Sequence, residues 1–283
     1  MDINTGLTIV IPTYNRCSNL LRLLRSVVHF AKYYEISVII VDNCSTDLTR
    51  EACSNLSSKY GFIRYVRNQV NIGMELNILR AMLVASTSHV WCIGDDDCLS
   101  KEILYQFCKE DYYTHIIGSD ATFILNRSTG NEHQRYPLFF DGLTSFVEHF
   151  MSADIEVLTG ITWISGVVVR RSLIDAEFGI LSLNQNFVHT YSFLRDLAKS
   201  DGKIVAIPHP LVIEQDQRMP RAKDSKTYLD QTFQRSLHKV VTSMANICGL
   251  ETNMNYADYV KEISTRYGVP QAILYRGCEP WNY

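Results

Sequence analysis

Val90-Trp91-Cys92-Ile93-Gly94-Asp95-Asp96-Asp97-Cys98-Leu99 is a short apolar run that breaks into three adjacent carboxylates. The run has the length and composition of a buried strand, and the carboxylates stand where that strand leaves its sheet. Three acidic side chains in a row repel one another, so a positive partner is expected among them. A hard divalent cation fills that role well. Mg²⁺ and Mn²⁺ take one or two carboxylates together with phosphate oxygens of a substrate. The alternative is a solvated acidic turn that caps a helix starting near Ser100.

Upstream, strand-like runs alternate with helical stripes. Leu7–Ile11, Ile36–Val41 and Phe62–Val66 read as buried strands. Between them, Asn19–Phe30 carries Leu20, Leu21, Leu24, Val27 and Val28 at helical spacing, with Ser18 as its expected cap. The polar turn Asn43–Asp47 leads into a helix striped by Leu48, Ala52 and Leu56. The turn Asn71-Ile72-Gly73 precedes a helix over Glu75–Ala85. The order β-α-β-α-β-α-β predicts an α/β protein with a mostly parallel sheet covered by helices. Ligands of such sheets bind beyond the carboxyl ends of the strands. Thr13–Arg16, Asp42–Ser45 and Asp95–Asp97 all fall at those ends and are expected to face one crevice.

Downstream the pattern is less regular. Lys101–Lys109 reads as a helix, and His115–Leu125 as strand material interrupted by Gly118-Ser119-Asp120. Asn126–Gly130 reads as a hairpin turn. Thr144–Met151 is expected to be a short helix, Thr159–Val169 a strand and Asn186–Lys199 a helix. Ile204–Ile213 is strand-like but broken by Pro208 and Pro210. Polar Arg218–Lys226 suggests a boundary, and an amphipathic helix over Tyr228–Cys248 follows.

At 283 residues, 46% hydrophobic and 20% charged, the chain suits a soluble globular protein with a large core. A net charge of −3 gives a general nucleic-acid-binding role no support. No apolar run reaches the roughly 18 residues that span a bilayer. Met1-Asp2-Ile3-Asn4 has no secretory pattern, so a cytoplasmic location is expected. The eight cysteines are scattered without a CxxC, which suits reduced buried thiols better than zinc or disulfides.

Three segments resemble family 2 glycosyltransferases of the GT-A (Rossmann-like) fold. They are Ile9-Val10-Ile11-Pro12-Thr13-Tyr14-Asn15-Arg16, then Ile39-Ile40-Val41-Asp42-Asn43-Cys44-Ser45-Thr46-Asp47, and Asn71-Ile72-Gly73 with Asn77 and Gly94-Asp95-Asp96-Asp97. They cover about the first 110 residues. Trp163–Arg171 and Pro210-Leu211-Val212-Ile213 are similar to bacterial O-antigen enzymes of the abequosyltransferase type.

The resemblance implies a GT-A domain over 1–220, with a nucleotide-sugar half at 1–110 and an acceptor half at 111–220. A C-terminal helical extension would occupy 221–283. It also implies that Pro12, Thr13, Tyr14, Asn15, Arg16 and Asp42 hold the base and ribose of a nucleotide-sugar, aided by Asn71, Gly73 and Asn77. A strand-end carboxylate at Asp42 suits a pyrimidine ring N–H, and the alternative is a capping aspartate. The triplet would bind ribose and a Mn²⁺ or Mg²⁺ ion. Gly94 takes the place of the first aspartate of the family's common D-x-D-D. On that alignment Asp96 is the metal ligand and Asp95 the ribose contact. Read as D-x-D, the ligands are Asp95 and Asp97.

Transfer by such an enzyme needs a stabilised nucleoside diphosphate leaving group and a base for the acceptor hydroxyl. The family commonly places an acidic base before a helix in the second half, and inversion is its default outcome. Leu183–His189 corresponds to that region and lacks Asp and Glu. His189 is the replacement, with a hydrogen-bonded helix histidine as the alternative. Asp120, expected at the end of the strand after the triplet, is a second candidate base. Asp154 and Glu156 are weaker candidates. Trp163 would stack on an acceptor sugar, or belong to the core.

The expected function is metal-dependent transfer of a sugar from a nucleotide-sugar donor to a saccharide hydroxyl, in bacterial O-antigen or capsule synthesis. A lipid-linked acceptor would bring the chain to the inner membrane face, with Tyr275–Tyr283 as a peripheral contact. The same aromatics would also serve a docked tail or a homodimer. Two other readings stay open. A nucleotidyltransferase would want a Gly-rich basic phosphate loop, which Pro12–Arg16 is not. A non-catalytic nucleotide- or sugar-binding module would bind without transfer.

Overall fold

The computed structural model describes residues 4–99, 111–125, 137–153, 161–183, 187–200, 202–207, 212–214 and 234–250. The chain divides into two compact units, Met1–Gln215 and Asp216–Tyr283.

In the first unit, β1 (Asn4–Thr13), β2 (Ser37–Asp42), β3 (Ile63–Arg67) and β4 (Thr87–Cys92) alternate with α1 (Cys17–Tyr33), α2 (Thr49–Lys59) and α3 (Met74–Leu83). After β4 come β5 (Asp97–Leu99), α4 (Tyr112–Ile117), β6 (Thr122–Leu125), β7 (Leu138–Phe140), α5 (Leu143–Ala153) and β8 (Val167–Arg170). The unit continues with α6 (Ala176–Leu181), α7 (Val188–Lys199), β9 (Ile204–Ile207) and β10 (Val212–Glu214). Among the described residues the main sheet has eight strands in the order β3-β2-β1-β4-β8-β6-β9-β7. Only β8 and β7 run against the rest. The sheet is therefore mostly parallel and flanked by helices, as the alternating pattern predicts.

The parallel strands are apolar on both faces because both are covered. Leu7, Ile9, Ile11, Val38, Ile40 and Trp91 share one buried cluster with Leu20, Leu23, Leu24, Val27 and Phe30 of α1. Val10, Ile39 and Val41 are buried as well, and α3 packs on β1, β2 and β4. The strand order reverses at β1. The chain moves outward through β2 and β3, then returns to place β4 on the other side of β1. The carboxyl ends of β1 and β4 therefore flank a topological switch point, where open α/β sheets bind ligands.

Several expectations are corrected. Ser18 lies inside α1 rather than capping it, and the Cys17 N–H donates instead to Asp47 Oδ2 at 3.0 Å. The Asp97–Leu99 segment is a short strand, paired antiparallel with Val212–Glu214. His115–Ile117 is helical, because a Tyr112–Ile117 turn brings Tyr112 and Ile116 into the core. Among the described residues β6 pairs with β8 and β9, and β7 pairs with β9. Thr159–Val169 contributes a strand only from Val167, since its earlier described residues make turns that hold the site. Ile204–Ile213 is two strands in two different sheets.

In the second unit the described element is α8 (Gln234–Ile247), with Val240, Val241, Met244 and Ala245 buried. The expected Lys101–Lys109 helix, the Asn126–Gly130 turn, Asp154, Glu156, the Arg218–Lys226 boundary and the Tyr275–Tyr283 aromatics lie outside the described residues. No helix among the described residues is long and apolar enough to cross a membrane.

Candidate active site

The end of β1 meets the end of β4 through one short hydrogen bond. Thr13 Oγ1 donates to Asp95 Oδ2 at 2.7 Å across the switch point. Three residues on, Arg16 reaches the first two carboxylates of the triplet. Its Nη2 donates to Asp96 Oδ2 at 2.8 Å, and its Nε lies 3.4 Å from Asp95 Oδ1. Asp95 is buried and Asp96 is exposed. Burial pushes the Asp95 carboxyl up to about 6, against the pull of Arg16 and the Thr13 hydroxyl.

Asp97 is also buried, at the start of β5. Ser165 Oγ donates to Asp97 Oδ2 at 2.5 Å and accepts from the Gly94 N–H at 2.8 Å. The Ser165 carbonyl accepts from Trp91 Nε1 at 2.9 Å. Ser165 thus ties both sides of the acidic turn to the segment that precedes β8. A β-carbon on Gly94 would stand 3.1 Å from Asp96 Oδ1 and 3.2 Å from Asp97 Oδ2. Glycine at position 94 leaves room for the two carboxylates to crowd inward.

The loops after β2 and β3 form the other wall. Asn15, in a left-handed conformation (φ 52°), accepts from the Thr46 N–H at 2.7 Å through Oδ1. Its own N–H donates to Ser45 Oγ at 2.9 Å. Asn43 Nδ2 donates to Asn71 Oδ1 at 2.7 Å, and Asn43 Oδ1 accepts from Asn68 Nδ2 at 2.8 Å. Asn68 Nδ2 also reaches Asn77 Oδ1 at 2.9 Å. Gly73, with φ 86°, permits the turn that starts α3. Neither Asn68 nor Tyr65 stands out in the sequence, because such a network has no fixed spacing.

Asp42, where the resemblance expects a base contact, is engaged by its own turn. It is fully buried, and Oδ1 accepts from the Ser45 N–H at 2.9 Å and Ser45 Oγ at 2.5 Å. Its Oδ2 accepts from Tyr65 OH at 2.6 Å, with Arg67 Nε at 3.4 Å. Burial and this bond push the Tyr65 hydroxyl up, keeping it a donor. Asp42 is thereby the capping aspartate of its own turn. Asn77 is likewise buried, with Nδ2 donating to the Val41 carbonyl at 3.1 Å, so it shapes the wall from behind. Of the Pro12–Arg16 loop, Tyr14 presents an exposed ring, 41% accessible, and Arg16 an exposed guanidinium paired with Asp95 and Asp96.

The two candidate bases each have a partner of their own. Asp120 precedes β6 instead of ending it. It is 90% exposed and pairs with Arg170 Nη1 at 3.2 Å. Arg170 stands opposite His89, at the amino side of the sheet, whereas the acidic turn follows the carboxyl end of β4. His189 is buried on the first turn of α7, with Nε2 2.7 Å from the Thr162 carbonyl. Burial holds its imidazole down at about 4, with the Thr162 bond pulling upward. It is the hydrogen-bonded helix histidine, and it anchors the segment carrying Ser165. Trp163 is half-buried and packs against the core cluster.

Among the described residues no three His, Cys, Asp or Glu side chains converge to enclose an ion. The donor set nevertheless fits a hard divalent cation that keeps water and phosphate ligands. An exposed Asp96 carboxylate stands beside a buried Asp95, and a single guanidinium compensates the pair.

Residues 8–163, more than half of the chain, match the family described as Glycosyl transferase family 2. The chain belongs to that family. Among curated relatives, this family 2 chain is 29% identical over 216 residues to abequosyltransferase RfbV of Salmonella typhimurium strain LT2. That alignment covers 72% of this chain and 64% of the relative. It is 27% identical over 124 residues to an uncharacterized glycosyltransferase, MG025, of Mycoplasma genitalium, covering 43% and 42% of the two chains. The chain thus spans less than two thirds of the length of either curated relative. Solved structures agree in fold. Residues 1–349 of S. aureus TarS superpose with a TM-score of 0.54 at 15% identity, covering 93% of this chain and 70% of that one. A mannosyltransferase of Pyrobaculum calidifontis, solved with GDP-Man and Mn²⁺, gives 0.56 at 13% identity, covering 94% and 76%. The family 2 chain has the GT-A fold.

Proposed function

We propose that this family 2 chain transfers a sugar from a nucleoside diphosphate sugar to a hydroxyl of a saccharide acceptor, with a divalent cation, in the building of a surface polysaccharide. The observation that carries the reading is the junction at the switch point, where Thr13, Arg16 and the Asp95–Asp97 turn converge. Exposed Tyr14 stands at its lip, suited to stack on a base. The relatives support the reading: one is named as an abequosyltransferase, and one neighbour was solved with GDP-Man and Mn²⁺.

Asp96 would hold the metal, Mn²⁺ or Mg²⁺, which would neutralise the charge developing on the diphosphate. Asp95, fixed by Thr13, would face the ribose. Asp97 keeps the turn in place through Ser165. The acceptor would enter from the side of residues 111–220. Where its base stands is not assigned to His189 or Asp120 in this reading, since one is enclosed and the other lies at the far edge.

Titration calorimetry with UDP, CDP, GDP and dTDP, each with and without Mn²⁺, tests the proposal. One nucleotide should bind tightly and only with metal, and Asp96→Ala should abolish that binding while leaving the melting temperature unchanged. A folded protein that binds none of the four would overturn it. Binding without donor hydrolysis or transfer would instead favour a non-catalytic module.

A further inference from the structure

Two of the three carboxylates, Asp95 and Asp96, share the Arg16 guanidinium. It spans Asp96 at 2.8 Å and Asp95 at 3.4 Å. The backbone beneath it is fixed, since Arg16 is the N-cap of α1 and its carbonyl accepts from the Leu20 N–H at 3.0 Å. The side chain itself is open: Arg16 is 45% exposed and Asp96 52%. Asp95 and Asp97 are closed off by burial. The Asp96 carboxylate is therefore where an ion from solution would arrive, and a guanidinium already occupies it.

We infer that Arg16 is an exchangeable counter-ion. It neutralises the acidic turn while the crevice is empty, yields Asp96 to an incoming divalent cation, and turns to pair with the diphosphate of the donor. This rests on the nucleotide-sugar reading above. An exposed ion pair is weak enough to yield. A guanidinium gains more from phosphate, which it meets with two parallel charge-assisted hydrogen bonds. The exchange also keeps the local charge nearly balanced, since two positive charges arrive on the metal as two or more negative ones arrive on the diphosphate.

The consequence is a pair of effects with opposite signs. Without Arg16, the metal meets less competition, but the diphosphate loses a partner. Mn²⁺ alone, followed by the electron-spin-resonance signal of the free ion, should bind Arg16→Gln about two- to five-fold more tightly than wild type. In saturating Mn²⁺, whichever of UDP, CDP, GDP and dTDP the wild type prefers should bind the variant about ten-fold more weakly. The corresponding nucleoside, lacking phosphates, should not distinguish the two proteins. Arg16→Lys should fall between them on both axes. In an Asp96→Asn background the Arg16→Gln change should leave Mn²⁺ affinity where it was. A folded Arg16→Gln protein that binds Mn²⁺ no better than wild type overturns the exchange, while nucleotide binding by the wild type would leave the proposed function standing. A wild type that binds no nucleotide overturns that function and this inference together.

Discussion

Asp95 is stabilised by its neighbours less than it is penalised by burial. Its folded carboxyl, raised to about 6, holds a proton more tightly than the unfolded one near 3.9. The stability it contributes is fully present below about pH 4 and is lost as the pH rises through 6. Asp95→Asn should therefore melt a few degrees above wild type at pH 8, with the gap closing toward pH 4. Equal melting differences at both ends, read by calorimetry, would remove the penalty. His189 has the opposite sign. Its folded imidazole titrates near 4 and the unfolded one near 6.5, so stability is present above about 6.5 and lost as the pH falls to 4. His189→Ala should cost about 2 kcal/mol at pH 7.5 through a lost hydrogen bond and a cavity. Urea titration should find that difference shrinking as the buffer is taken down to pH 5. A difference constant with pH would mean that the imidazole is not held neutral.

At the scale of elements, the acidic turn is built by its neighbours more than by itself. The Gly94 position has room for a hydrogen and little else, with two carboxylate oxygens within 3.2 Å of any β-carbon. Gly94→Ala should push Asp96 and Asp97 outward by a few tenths of an ångström. We expect Mn²⁺-dependent nucleotide affinity to fall several-fold with only a small change in melting temperature. Undiminished affinity would mean the carboxylate spacing is not critical. The elements legible in the sequence are those with core-set periodicity: β1 to β4, α1 to α3 and the longer helices α5, α7 and α8. Those misread from it are short, and their state is set by distant partners. His115 is helical because Tyr112 and Ile116 are buried together. Residues 161–166 are turned, and Ser165 and Thr162 there have partners on β4, β5 and α7. No local pattern carries that information.

At the scale of the whole first unit, the sequence made the crevice legible and left its inner wiring hidden. A parallel sheet follows from the alternation, and polar residues mark its strand ends, so Thr13, Arg16 and the triplet are placed near one crevice by sequence alone. The side chains that turn away from the crevice are not. Asp42 and Asn77 are buried in a network whose members, Ser45, Tyr65, Asn68 and Asn43, come from three separate loops and strands. The same long-range wiring governs the order of assembly. Asp97–Leu99 pairs with Val212–Glu214, more than a hundred residues later in the chain. Contacts of such separation are slow to form, because a large loop must close before they repay it. The β1–β4 core can gather early from neighbours, but the acidic turn is pinned only when the end of the unit comes back to it. Refolding followed by tryptophan emission and by capture of a fluorescent nucleotide should therefore give two time courses, with capture trailing. During synthesis, the same delay would leave a nascent chain with a formed sheet and no competent site until β10 has emerged.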